Sequence, residues 1–286
     1  MSRRITVAVG LVLAFAVVGL AVTALQRARL NAQVEESRNN LRQIALFAAH
    51  NADPNAPLGT LTKGATEKLP REIPAATIVL QGVPPDDRLS WVVAILPALD
   101  QRKHRSDIFL SQLKLDQPWS AAPNQEVAIA RLTVLLCPGR APSTPTGFPA
   151  PTCYVGIAGV GADAATLALV PGLPTPGRAG PFRYDAPTPF DRITDGLSQS
   201  LLFGETADSP GSWLRGGFST TRGFDTAPGA KPYLGGGGQF GGYFPNSTNF
   251  AICDGSVRTF TQRVTPDVLL KLATIAGGEE ELVPED

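Results

Sequence analysis

The chain has 286 residues with 25 basic and 25 acidic side chains, so its formal net charge is zero. That length supports one large domain or two small ones, and the balanced charge provides no basic face for nucleic acid. Glycine (29) and proline (26) together approach a fifth of the sequence, which predicts short elements, many turns, long loops and little helix after the first fifty residues.

Ser2-Arg3-Arg4 is a short basic start, and Ile5 to Leu25 carries no charge. About twenty apolar residues suffice to span a bilayer, and a helix satisfies its own backbone there. Two readings follow, a retained anchor over 5–25 and a cleaved secretory signal with a site near Val22-Thr23-Ala24. The apolar run is long for a signal peptide and helix-forming sequence continues past it, which favours the anchor. Either reading exports the rest of the chain. Arg3 and Arg4 precede the span and Arg27 and Arg29 follow it, so the charge count around it is nearly balanced.

Leu30, Val34, Leu41, Ile44 and Ala48 then recur at helical spacing, with Ser37 filling the gap in the stripe. No Pro or Gly interrupts Gln26 to Asn51, and Asn51-Ala52-Asp53-Pro54 ends the helix. Residues 5–50 thus read as one rod of about 70 Å, its first half in lipid and its second half against a folded domain. The expected organisation is an anchor over 1–25, an ectodomain over 26–278 that begins with the amphipathic helix 26–51, and an acidic tail over 279–286.

Further along, Asp53 to Arg88 reads as loop except for a strand-like Thr77 to Gln81. Leu89 to Leu99 is densely apolar; Pro97 argues against a central strand, and the continuation into Asp100-Gln101-Arg102-Lys103 favours a kinked helix. Trp119 and Asn124 mark a polar loop, and Arg131 to Cys137 and Thr152 to Ala158 read as strands. A turn or short helix around Asp195 leads into a buried strand ending at Glu205, and 215–247 reads as a long Gly-rich connection. Phe250 to Cys253 and Ser256 to Phe260 form a hairpin whose Asp254-Gly255 pair suits a two-residue type I′ turn. Thr265-Pro266-Asp267 has the cap, first-turn proline and acidic residue of a helix start. The fold class expected is α+β, a long N-terminal helix packed on an antiparallel sheet.

In order, these segments resemble a family of bacterial pilin-like proteins similar to the G-type pseudopilins of type II secretion. Its C-terminal motif runs His-Pro, then Asp-Gly-Ser-Val nine residues on, then a Pro-Asp helix; Pro245, Asn249, Asp254, Gly255, Ser256 and Val257 match, with Phe244 at the His. Ser37-Arg38-Asn39-Asn40-Leu41-Arg42-Gln43-Ile44 resembles its Cys-x-Asn-Asn-Leu-Lys-Gln-Ile, with Ser37 at the Cys. Ser90-Trp91-Val92, Leu96-Pro97, Cys137-Pro138, Tyr154-Val155-Gly156 and Thr194-Asp195-Gly196 also match. The resemblance implies a pilin-like fold, a cytoplasmic N-terminus and an ectodomain outside the cytoplasm. The prepilin signal Gly-Phe-Thr-Leu-x-Glu is absent from Arg4 to Val9, which argues against prepilin processing and filament assembly.

Little in the sequence points to catalysis. His50 and His104 are the two histidines, and no nucleophile elbow, phosphate loop or zinc spacing is present. No cofactor motif is found. Calcium is the metal that suits the carboxylates Asp195, Glu205 and Asp254 at strand and turn ends, each of which also has a purely structural reading. Glu205 ends an apolar strand and needs a partner if buried, either Arg215 or backbone N–H groups. Trp91, Asp195, Gly196, Asp254 and Gly255 read as structural motif positions. Cys137 and Cys153 are candidates for a disulfide closing a 17-residue loop, worth about 3 kcal/mol; the bland alternative is that all three cysteines are small buried apolar residues. Two functions follow: a membrane-tethered structural or interaction module with protein partners in the envelope or a secretion apparatus, and an exported ligand- or calcium-binding domain with its site in loops 139–247.

Overall fold

In the computed structural model, which describes residues 2–50, 72–99, 105–139 and 145–278, one unbroken helix α1 runs over Ser2–His50. Its 49 residues span about 74 Å. It is the one helix among the described residues that is long and apolar enough to cross a membrane. Leu13, Phe15, Val17 and Leu20 are between 61 and 76 % exposed, so this half of α1 finds no cover in the protein. From Ser37 onward the same helix changes role: Ser37, Leu41, Ile44, Ala45 and Ala48 are fully buried. The stripe read from the sequence is therefore the packing face.

That face lies on a five-stranded sheet in the order β5-β2-β4-β6-β7, formed by β2 (Tyr154–Val160), β4 (Leu201–Glu205), β5 (Thr221–Phe224), β6 (Thr248–Ile252) and β7 (Val257–Phe260). A two-stranded piece pairs β1 (Glu72–Ile73) with β3 (Thr188–Pro189). β2, β4, β6 and β7 are antiparallel neighbours, but β5 runs parallel to β2. The expected antiparallel sheet is thus present over four strands, with one parallel pair added at its edge. The chain returns from β4 to β5 through a long connection, and such a crossover allows a parallel neighbour where a tight hairpin does not.

Both faces of the sheet are covered. Tyr154, Phe203, Ala251 and Cys253 join the cluster containing Leu41, Ile44 and Trp91. Val155, Ile157, Leu201, Phe250 and Ile252 join Leu269 and Leu272 of α5 (Pro266–Ala273) on the other side. The alternation follows the two-residue period of a strand. Double cover also explains why β4 reads as an uninterrupted apolar run. Trp91 sits at the start of α2 (Val92–Leu99), fully buried, with Nε1 donating to the Thr220 carbonyl at 2.9 Å and its ring 4.6 Å from that of Phe203. Pro97 lies inside α2 as the kinked-helix reading requires.

Several local readings are corrected. Arg131 to Cys137 holds a single 3₁₀ turn over Thr133–Leu135 instead of a strand, and Thr77 to Gln81 contributes one isolated bridge, Thr77 to Ser90. Helix α4 (Ala122–Ala128) occupies the segment read as a polar loop around Trp119 and Asn124, and α3 (Arg105–Gln112) precedes it. Asn124 is buried in α4, where its side chain accepts from the Lys114 N–H at 2.8 Å and donates to the carbonyls of Lys114 and Pro118. Thr265 stands at the N-cap of α5 but its hydroxyl makes no capping bond. The helix end near 51–54, the loop 53–71, residues 100–103, His104, the side chain of His50 and the tail 279–286 lie outside the described residues.

The Asp-Gly hairpin is real but its turn is not type I′. Positive φ falls on Gly255 (+85°) and not on Asp254. Gly255 N–H donates to the Ile252 carbonyl and Ile252 N–H to the Ser256 carbonyl, both at 2.9 Å. This is the three-residue loop with a glycine bulge. The Asp254 carboxylate accepts from the Ser256 N–H at 2.8 Å, which an Asn oxygen would do equally well. A Cβ on Gly255 would lie 2.7 Å from Leu46 Cδ2 of α1. Gly255→Val is therefore expected to lose about 1–2 kcal/mol through backbone strain and this clash, while Asp254→Asn stays within about 0.5 kcal/mol of wild type. Denaturant unfolding of the two variants checks both.

Candidate functional site

The most concentrated chemistry lies where α1 crosses the ends of β2, β4 and β6. Glu205 closes β4 and is fully buried. Its Oε1 accepts from the Asn249 backbone N–H at 2.8 Å, and its Oε2 accepts from Ser37 Oγ at 2.8 Å and Asn249 Nδ2 at 3.3 Å. Ser37 Oγ also lies 3.0 Å from Tyr154 Oη. Thr259 Oγ1 donates to Asn249 Oδ1 at 2.7 Å, extending the chain of bonds to β7. The network around this one carboxylate thus ties the docking helix to four strands of the sheet, β2, β4, β6 and β7.

The partner of Glu205 is not Arg215, which donates from Nε to the Asp86 carbonyl and stacks on Trp119. Three neutral donors favour the carboxylate, but burial without a cation outweighs them and raises the Glu205 pKa from 4.5 to about 7. The network tolerates both states. With Glu205 ionised, Ser37 donates to it and Tyr154 donates to Ser37. With Glu205 protonated, its own O–H donates to Ser37, and Ser37 donates on to Tyr154.

Beside this network lies a small apolar cluster of Cys137, Cys153 and Phe244, flanked by Leu30 and Val34 of α1. Cys137 Sγ is 3.9 Å from Ser37 Oγ. Both thiols are free, as is Cys253, so the Cys137–Cys153 bridge is not formed. Instead, the cysteines serve as small apolar packing groups, with Cys153 fixed by its backbone N–H bond to Leu135 at 2.8 Å. Burial raises the pKa of Cys137, and the nearby Glu205 raises it further; burial likewise raises that of Cys153. Thiols held neutral in this way supply no thiolate nucleophile. Phe244 packs closely on Gly139, where an added Cβ would meet its ring at 2.6 Å.

The two other carboxylates singled out from the sequence are elsewhere and separately employed. Asp195 accepts from the N–H groups of Gly277 at 2.8 Å and Gly278 at 3.1 Å, tying down the segment after α5. Gly196 follows it at φ +98°. Asp254 serves its hairpin as described. Among the described residues no group of three or more His, Cys, Asp or Glu is placed to hold a metal ion. Sequence reasoning found Glu205 and its need for a partner but missed Asn249 as a ligand and Ser37 as the hydroxyl. The signal for Ser37 was present, since it is the polar residue in an otherwise apolar stripe.

Ser37 and Phe244, which stand at the Cys and His of the motifs read from the sequence, thus lie at the same small cluster as Cys137 and Cys153. A family model matches residues 26–267, most of the chain. The chain belongs to the family described as "Protein of unknown function (DUF1559)". The family region begins within α1, just after the apolar stretch, and ends at the first turn of α5, so it takes in every member of the Glu205 network. Comparison with curated proteins and with solved structures gives no match.

Proposed function

We propose that this protein is a membrane-tethered, pilin-like structural or interaction module of the cell envelope that performs no catalysis of its own. The observation that carries the reading is α1 itself: one helix whose first half is apolar and uncovered and whose second half is built into the core of the domain. A helix shared in this way transmits position from the bilayer to the sheet without a flexible linker. In this reading residues 5–25 stay in the membrane, the N-terminus is cytoplasmic, and the ectodomain meets protein partners of the envelope or of a secretion apparatus. The neutral thiols beside Glu205 support the non-catalytic part, because a buried thiol with a raised pKa is not poised as a nucleophile. Intact-mass measurement of protein extracted from the membrane fraction is expected to give the chain with residues 5–25 retained. A mature N-terminus at Leu25, with the protein in the soluble fraction, would contradict the anchor.

A second reading, an exported ligand-binding domain with its site within 139–247, is favoured by one feature: a buried arginine, Arg222 of β5, with an unused hydrogen-bonding edge.

A further inference from the structure

Strand β5, at the sheet edge and separated from β4 by β2, places Arg222 against the segments around Asp208 and Asp225. The side chain is 3 % exposed. Nη1 donates to the Asp208 carbonyl at 3.0 Å and lies 3.9 Å from the Asp208 carboxylate. The guanidinium carbon sits 4.1 Å from the centroid of the Phe218 ring, a cation–π contact. Nε and Nη2 have no hydrogen-bond partner among the described residues. These two nitrogens share one edge of the guanidinium, and their N–H bonds point the same way. That edge is the fork that grips both oxygens of a single anionic group. Buried polar groups are ordinarily satisfied, so an unfilled fork at this depth points to a ligand.

Arg222 lines a cavity of about 360 Å³, within the range of small-molecule sites. The neighbouring polar side chains are already engaged. Asp208 takes Lys231 at 2.6 Å, Asp225 accepts from the Ala227 N–H, and Gln239 bonds the backbone of Asp225 and Lys231. Two acids, Asp208 and Asp225, and two bases, Arg222 and Lys231, line the cavity. Their formal charges cancel, which favours a monoanion over a doubly charged phosphate and over a calcium ion. Burial lowers the Arg222 pKa to about 10, leaving it charged at neutral pH. Phe218, whose ring lies against the guanidinium, is 50 % exposed and follows Gly217, whose φ is +64°; the Nε/Nη2 edge is closed to solvent, so entry of a group requires this ring to turn outward.

We propose that the Nε/Nη2 edge of Arg222, covered by Phe218, binds the carboxylate of a small organic ligand or of a polypeptide C-terminus. The site is independent of the membrane reading, since it uses none of α1. The full chain in detergent is titrated with sodium acetate, with a short N-acetylated peptide ending in a free carboxylate, and with the same peptide as its C-terminal amide, all at ionic strength held constant with chloride. Saturable thermal stabilisation by acetate or the free-acid peptide, absent with the amide, is expected. A peptide that saturates at least tenfold below acetate assigns the polypeptide terminus; comparable values assign small carboxylates. Arg222→Lys, which keeps the charge and removes the fork, is expected to weaken saturation at least tenfold. Should that variant not fold, Phe218→Ala at a half-exposed position is expected to shift the half-saturating concentration threefold or more. Absence of saturation, equal stabilisation by the amide, or saturation unchanged in Arg222→Lys (or, failing its folding, in Phe218→Ala) overturns the proposal.

Discussion

Leu41→Asp is expected to destabilise the folded domain by about 4 kcal/mol or more, enough to unfold a domain of ordinary stability. Leu41 is fully buried between α1 and the sheet, in the same cluster as Trp91 and Phe203. The substitution removes about 2 kcal/mol of apolar burial and leaves an unpaired carboxylate in the core. The Glu205 network, on the neighbouring turn, already holds one buried acid and offers no cation. Gln43→Asp, on the exposed side of the same helix, is expected to change stability by no more than about 0.5 kcal/mol. Thermal melting of both variants in detergent checks the pair. Equal melting of Leu41→Asp and wild type would show that this face of α1 does not pack on the sheet.

The second large effect is a pH dependence centred on Glu205. Its folded pKa of about 7 stands above the ordinary 4.5, so between these values the native state holds a proton that the unfolded state has released. Stability therefore falls as pH rises across this window: the contribution is fully present below about 4.5 and gone above about 7. The difference is on the order of 3 kcal/mol. The titratable neighbours Cys137, Cys153 and Tyr154 all have raised pKa values and stay neutral throughout, so the carboxyl titrates alone. Glu205→Gln keeps the shape, its amide donating to Ser37 while its oxygen accepts from Asn249 N–H. The stability of wild type minus that of Glu205→Gln, measured by denaturant unfolding, is expected to decline from pH 4.5 to 7 by that amount. A flat difference across the window would mean that the acid keeps its ordinary pKa.

What the sequence made legible was whatever local chemistry decides. The α1 stripe, the strand ending at Glu205 and the Asp-Gly hairpin are written in periodicity and turn residues, and the α+β class follows from them. The turn type was misread because Asp-Gly serves two loop geometries, and only the strand pairing places the positive φ on Gly255 alone. The run from Arg131 to Cys137 has strand-like residues, yet it packs against α1 as a 3₁₀ turn, with Asn40 Nδ2 donating to the Leu136 carbonyl at 3.3 Å. β5 was hidden because Thr221 to Phe224 contains a glycine and sits within a Gly-rich stretch, and its partner β2 lies more than sixty residues away. The bond from Ser37 to Glu205 joins residues 168 apart in sequence; a hydroxyl in an apolar stripe signals such a partner without naming it. Arg222 gave no signal, since its unusual feature is an edge that its surroundings leave unfilled.

The central claim is that anchor and core helix are one rigid element. Val17 is 65 % exposed and Gln43 is also exposed, while all three native thiols are buried, so spin labels at Val17→Cys and Gln43→Cys report on α1 selectively. With the chain in lipid nanodiscs, an unbroken helix places these positions about 39 Å apart, and a single narrow distance distribution near that value is the expected result of a dipolar electron-resonance measurement. A broad or much shorter distribution, or the absence of residue 17 from the membrane-bound protein, would contradict the account.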